Sequence, residues 1–157
     1  MLSKKVLLIA AVVLVIVLLG YQYTVQQNSA GPIRLTPDDA AIVAQGQKIY
    51  AAECAACHGA QLQGQPNWKQ RMPNDRLPAP PHNETGHTWH HADAALFNVT
   101  KNGLQSIAGP DYQSDMPAYG DTLTDAEIIA VLSYIKSEWP ADARATHDEI
   151  NKRAAAQ

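Results

Sequence analysis

The balance of apolar and polar positions changes character three times along the chain. From Val6 to Leu19 every side chain is aliphatic, with Lys4 and Lys5 before it and Gly20, Tyr21 and Tyr23 after it. Residues 24–35 are polar, punctuated by Gly31-Pro32, and read as a linker. Thr36-Pro37-Asp38-Asp39 then offers an N-cap, a proline at the first helical position and two acids in the first turn. Ile42, Gly46, Ile49, Tyr50 and Glu53 follow on one helical face. The next stretch carries Pro66, Pro73, Pro78, Pro80 and Pro81, which no regular helix or central strand accepts. Helical periodicity returns over Asp93 to Asn102, with Leu96, Phe97 and Thr100 inward and Gly103 as the stop. After a turn-rich loop over 104–121, Thr124-Asp125-Ala126-Glu127 is a capping box that opens the strongest helix of the chain. Its apolar face is Ile128, Val131, Leu132, Ile135 and Trp139, and Pro140 closes it. Residues 141–157 hold one aliphatic side chain larger than alanine, Ile150, and a second capping box at Thr146 to Glu149; they read as a polar tail with little to bury. No alternating run suggests a sheet, so the pattern predicts a small all-α domain over residues 36–140.

The aliphatic run is a membrane segment or a signal peptide. A signal peptide needs a small-x-small cleavage site just after its apolar stretch, and Tyr21 to Gln27 are bulky or polar. Residues 1–23 are therefore expected to be an uncleaved anchor, a single N-terminal transmembrane helix, with cleavage as the alternative. The 16 residues from Val6 to Tyr21 rise only about 24 Å as a helix, against about 30 Å of hydrocarbon. Lysine snorkelling and the interfacial tyrosines make up the difference. The lysines keep the N-terminus cytoplasmic and send the rest of the chain across.

Chemistry concentrates at Cys54-Ala55-Ala56-Cys57-His58. Two thiols three residues apart can each add to one vinyl group of a haem, and the following imidazole then lies under the iron. A redox dithiol or half of a zinc site would use the same C-x-x-C. The chain has only these two cysteines, however, and a catalytic dithiol has no need of the adjoining His. The reading is one covalent haem c on Cys54 and Cys57 with His58 as an axial ligand. For the other face of the iron the candidates are Met72, Met116 and histidines 82, 87, 90, 91 and 147. Met116 is favoured: it lies in a polar loop between Asp115 and Pro117, 58 residues beyond His58, far enough for the chain to pass round the ring. The four histidines at 82, 87, 90 and 91 could bind copper, and the other reading has Trp89 and one His covering the haem propionates.

Gly46 and Tyr50 before C-A-A-C-H, then D-M-P-A-Y-G over Asp115 to Gly120, then L-T-D-A-E-I-I-A-V-L-S-Y-I over Leu123 to Ile135, together resemble a class I c-type cytochrome in the membrane-anchored monohaem form found in bacteria. The resemblance implies a cytochrome c-like domain wrapped around its haem, His58 and Met116 as the axial ligands, and helices crossing at Gly46 and Tyr50 against Val131 and Tyr134. It also implies a proline carbonyl accepting from the His58 imidazole. Pro80 is the candidate, with Pro78 and Pro81 as alternatives. The implied role is one-electron transfer in a respiratory chain, not enzymatic turnover, from the periplasmic side of a bacterial inner membrane. Membrane-bound partners follow: a quinol-oxidising complex or dehydrogenase upstream and a terminal oxidase downstream. Two competing functions stay open, a haem enzyme or gas or peroxide sensor with a labile sixth ligand, and a copper-handling assembly module built on residues 82–91.

Charge narrows the partners. The formal charge of −3 becomes −5 once Lys4 and Lys5 are set aside, and no basic run follows the N-terminal stretch. Nucleic acid is excluded as a partner on this ground, and a positively charged docking surface suits the domain better than an acidic one.

Overall fold

Helix α1, Ala40–Ile49, begins where the Asp39 carboxylate accepts from the backbone N–H groups of Ala41 and Ile42. In this computed structural model, which describes residues 13–18 and 31–156, the helix therefore starts later than the sequence pattern predicts. Pro37 and Asp38 form a turn instead: Asp39 N–H donates to the Thr36 carbonyl, and Thr36 N–H is taken up by Ser133 Oγ at 2.9 Å. A π-helical turn over Tyr50–Cys54 joins α1 to α2, Ala55–His58. Then come α3 (Asp93–Asn102), α4 (Gln105–Ala108), α5 (Asp125–Ser137) and α6 (Ala141–Ala154). A single 3-10 turn, Thr88–His90, lies between α2 and α3. The regular structure among the described residues is all helical.

The chain divides into two units, residues 1–32 and 33–157. Of the first unit, residues 13–18 are helical and 31–32 are irregular, and the rest of the expected span from Val6 to Leu19 lies outside the described residues. Among the described residues no helix is long and apolar enough to cross a membrane. The second unit takes in the end of the predicted linker, because Ile33 packs against the core and Leu35 is buried within it.

The core is built where α1 crosses α5. Gly46 is buried at the crossing, and a β-carbon there would stand 2.0 Å from the Ala130 carbonyl oxygen and 2.9 Å from Tyr134 Cβ. Only a hydrogen in that place lets the two backbones approach this closely. One turn on, Tyr50 is buried against Tyr134, with ring centroids 5.4 Å apart and planes tilted by 57°. Helix α5 starts on the predicted capping box, with Thr124 Oγ1 accepting from Glu127 N–H and the Glu127 carboxylate accepting from Thr124 N–H. Its predicted apolar face is buried in full. So are Ala130, Ser133, Tyr134 and Lys136, because α1 and α3 pack on it and Lys136 is met from α6 by Asp148. Helix α3 keeps its predicted bounds, its inward residues and Gly103 at its end, where φ is +81°.

Residues 141–157 depart from the polar tail expected of them. Pro140, two residues past the Glu138 cap of α5, is the N-cap of α6, and Thr146 is interior to that helix, its hydroxyl bonded back to the Asp142 carbonyl in place of a capping box. The face of α6 that meets the core is Ala143 and His147, polar or small residues that a search for aliphatic periodicity passes over. His147 is fully buried and sets its ring edge-on to Trp139. Asn151 Oδ1 accepts from Asp93 N–H at 2.8 Å, and Asn151 Nδ2 donates to Asp93 Oδ1 at 3.0 Å. The other Asp93 oxygen accepts from Leu35 N–H, so one buried carboxylate ties α3, α6 and the segment entering α1 together. Lys136, also buried, pairs with Asp148 at 2.6 Å.

Two outcomes follow from this packing. Gly46→Ala forces the α1–α5 crossing apart and is expected to cost about 1–3 kcal/mol, read as a lower denaturant midpoint of the haem-loaded protein. Burial first, and Lys136 second, hold the His147 imidazole below its ordinary pKa, so the folded state keeps it neutral while the unfolded chain protonates near pH 6.5. Below that pH the unfolded state binds more protons, and the contribution of His147 to stability is lost as pH falls. The stability advantage of the wild type over His147→Gln should therefore shrink between pH 7.5 and 5, as measured by urea unfolding; an advantage that grows toward acid would contradict the neutral buried imidazole.

Candidate haem site

The π turn decides how the C-x-x-C-H segment is presented. Ala55 N–H donates to the Tyr50 carbonyl five residues back, which inserts one residue into the helix and rotates everything after it by roughly 100°. The stripe of α1 consequently ends at Tyr50, and Glu53, expected on the same face, is exposed. Cys54 is half-buried, Cys57 is exposed, and both are free thiols. Burial, and then the neighbouring Glu53 and Cys57, push the Cys54 thiol up to about 11, so it is held as the neutral thiol.

His58 is buried at the end of α2. Its Nδ1 lies 2.8 Å from the Pro80 carbonyl oxygen. A carbonyl only accepts, so Nδ1 carries the proton and Nε2 is left with a free lone pair for a metal. Burial keeps the imidazole below its ordinary pKa, partly offset by the bond to Pro80, and the ring is neutral, as a ligand must be. Three features hold this geometry. Tyr50 Oη donates to the Gly59 carbonyl at 2.9 Å, fixing the chain just past His58. Gly64 N–H donates to the His58 carbonyl at 2.7 Å. A β-carbon on Gly64, where φ is +67°, would stand 2.4 Å from the Pro81 nitrogen and 2.6 Å from the Pro80 carbonyl carbon. Gly64 is thus what lets the Pro80-Pro81 segment pass beside the motif, and sequence reasoning did not single it out; its place directly after Leu62-Gln63 in a loop carried no periodic signal.

The residues from 59 to 87 fold back on the motif instead of trailing away. His82 and Asn83 N–H groups both donate to the Leu62 carbonyl, and Gln65 exchanges bonds with Ala79 through its backbone N–H and its side-chain oxygen. His82 lies flat on His58, with ring centroids 3.8 Å apart and planes at 17°, and its carbonyl accepts from Trp139 Nε1 at 2.7 Å. Burial, and then His58, hold His82 well below its ordinary pKa. Of the other histidines of this stretch, His87 stacks on Trp68 and meets His91 edge-on, while His90 stacks on Trp89. Among the described residues no three His, Cys, Asp or Glu are grouped to hold a metal ion, the histidines at 82, 87, 90 and 91 included. Trp89 donates its indole N–H to the Glu84 carbonyl at 3.3 Å.

Met116 is half-buried in the loop between α4 and α5, with its N–H bonded to Ser114 Oγ. Tyr119, three residues on, donates its hydroxyl to the Glu53 carbonyl at 2.8 Å, which joins this loop to the residue before Cys54. Met72 lines an open cleft of about 450 Å³ with Gln65, Pro66, Asn67, Gln70, Arg71 and Pro78, none of them a residue of the C-x-x-C-H segment. The donor set suits a covalent haem: two unpaired thiols flank one turn, followed by an imidazole whose tautomer is fixed with Nε2 available.

Comparison with known proteins agrees. A family model described as Cytochrome c matches residues 43–139. Among curated proteins, cytochrome c6 of Synechococcus sp. (strain ATCC 27167 / PCC 6312) is 34% identical over 100 residues, covering 64% of this chain and 73% of that one. The Cbb3-type cytochrome c oxidase subunit CcoP of Azospirillum sp. (strain B510) is 31% identical over 97 residues, 62% of this chain, and the chain spans only 29% of that subunit's length. No solved structure matches the chain significantly. Since the family match runs from within α1 to just past α5, the chain belongs to the cytochrome c family, with Cys54 and Cys57 as the sites of its covalent haem c.

Proposed function

We propose that this cytochrome c is a one-electron carrier of a respiratory chain whose iron is ligated by His58 and Met116 and whose haem domain is held at the outer face of a bacterial inner membrane by residues 1–23. The observation that carries the ligation is the 2.8 Å bond from His58 Nδ1 to Pro80, which presents Nε2 and strengthens it as a donor. Haem c, when bound, supplies one iron that exchanges single electrons between its ferric and ferrous states.

The protein's contribution is to hold that group still and to close both axial positions. Cys54 and Cys57 tether it through thioethers. Tyr50 and Gly64 keep His58 in place from either side through bonds to the chain at Gly59 and His58. The Met116 thioether favours the reduced iron over what a second imidazole would give, and so raises the potential. With both axial positions filled, no site is left for a substrate, which separates a carrier from an enzyme or sensor. The aliphatic stretch from Val6 to Leu19 supports anchoring, and an anchor confines the domain to a layer near membrane-bound partners. Similarity to an oxidase subunit supports respiratory partners, a terminal oxidase on one side and a quinol-oxidising complex or dehydrogenase on the other.

Replacing Met116 tests this reading. In Met116→Ala the ferrous protein is expected to bind CO rapidly, and its reduction potential to fall by a measurable part of the roughly 0.8 V that axial ligands span. Met72→Ala should leave both properties at the wild-type values. Rapid CO binding by the wild type itself would contradict a filled sixth position and favour the enzyme or sensor.

A further inference from the structure

The loop that carries Met116 is fastened at two places, each to a part of the chain remote in sequence. On its near side the Asp115 carboxylate pairs with Arg76 Nη1, and Arg76 Nη2 reaches Gln113 Oε1 at 3.5 Å. Arg76 is itself set by a tight turn in which Met72 N–H donates to the Arg76 carbonyl at 2.8 Å and Asp75 N–H to the Met72 carbonyl at 2.9 Å. Among the described residues, every other hydrogen bond made by 110–118 is to a neighbour within three residues. On the far side Tyr119 N–H donates to the Thr100 carbonyl, Gly120 N–H to the Lys101 carbonyl, and the Tyr119 hydroxyl to the Glu53 carbonyl beside Cys54.

We propose that Arg76 and Tyr119 are positioning residues that latch the Met116 loop from its two sides and thereby set how often the sixth position of the iron opens to exogenous ligands; this rests on ligation by Met116. The two fastenings differ in kind. Arg76 and Asp115 are both partly solvent-exposed, so their pair is weak and salt-sensitive. The Tyr119 hydroxyl makes a neutral bond to a carbonyl, which salt does not screen. Neither needs to be strong, because a loop that opens rarely is controlled by small changes in its closed-state stability.

The test is the rate at which imidazole binds the ferric, haem-loaded protein, followed by stopped flow at low and high KCl. Arg76→Gln and Tyr119→Phe should each raise that rate about two- to tenfold with the unfolding midpoint unchanged, and Arg76→Lys should restore most of the wild-type value. Added salt should accelerate the wild type and Tyr119→Phe, and leave Arg76→Gln unaffected. Met116→Ala, included alongside, should be much faster than all of them. If it is fast while Arg76→Gln and Tyr119→Phe stay at the wild-type rate, the latch is wrong and the ligation stands. If Met116→Ala binds imidazole no faster than the wild type, ligation by Met116 is wrong and the latch falls with it.

Discussion

Everything in the haem-bearing unit depends on two backbones meeting at Gly46. The space a side chain would need is taken by the Ala130 carbonyl, so α1 and α5 touch main chain to main chain. That contact seats Tyr50 against Tyr134, and from there the Tyr50 hydroxyl reaches the carbonyl of Gly59. The end of the C-x-x-C-H segment is thereby tied to the most buried helix of the domain. A second close approach, at Gly64, brings the Pro80 carbonyl to His58. Two missing side chains, one between helices and one within a loop, thus set the position and the tautomer of a single imidazole.

The two proposed ligands are held by different means. His58 sits on regular structure, backed by helix packing and by a backbone carbonyl that cannot rotate away. Met116 sits in a loop whose attachments are an exposed ion pair and one hydroxyl, together with backbone bonds at Tyr119 and Gly120. This asymmetry fits a ligand pair in which nitrogen is the permanent partner and sulfur the exchangeable one. Buried polar groups add a third kind of support away from the site, where Asp93, Asn151 and His147 bind α6 to α3 and to Leu35.

Helices α3 and α5 were legible because their signals are local: a capping box, a stop glycine and a face of large apolar residues. The Gly46 crossing was legible by resemblance, and Pro80 was the leading candidate among three prolines, which spacing alone does not distinguish. Other features had no local signal. The start of α1 lies at Asp39 and not at Thr36 because the Asp39 carboxylate caps Ala41 and Ile42, a choice between two nearby capping residues that the local pattern leaves open. The π turn at Tyr50 broke a periodicity that assumed a regular helix through Glu53. Helix α6 buries a histidine and an alanine, so a hydrophobic pattern reads it as tail. The histidines at 82–91 looked like a cluster in one dimension, yet aromatic partners from elsewhere draw His82 and His87 apart.

X-ray absorption at the iron edge of the haem-loaded protein tests the ligand pair most directly, because it reads the atoms bound to iron without any variant. Ligation by His58 and Met116 predicts one sulfur neighbour beside five nitrogens in both the ferric and the ferrous states. A shell of nitrogen or oxygen alone, or a sulfur that disappears on reduction, would contradict it.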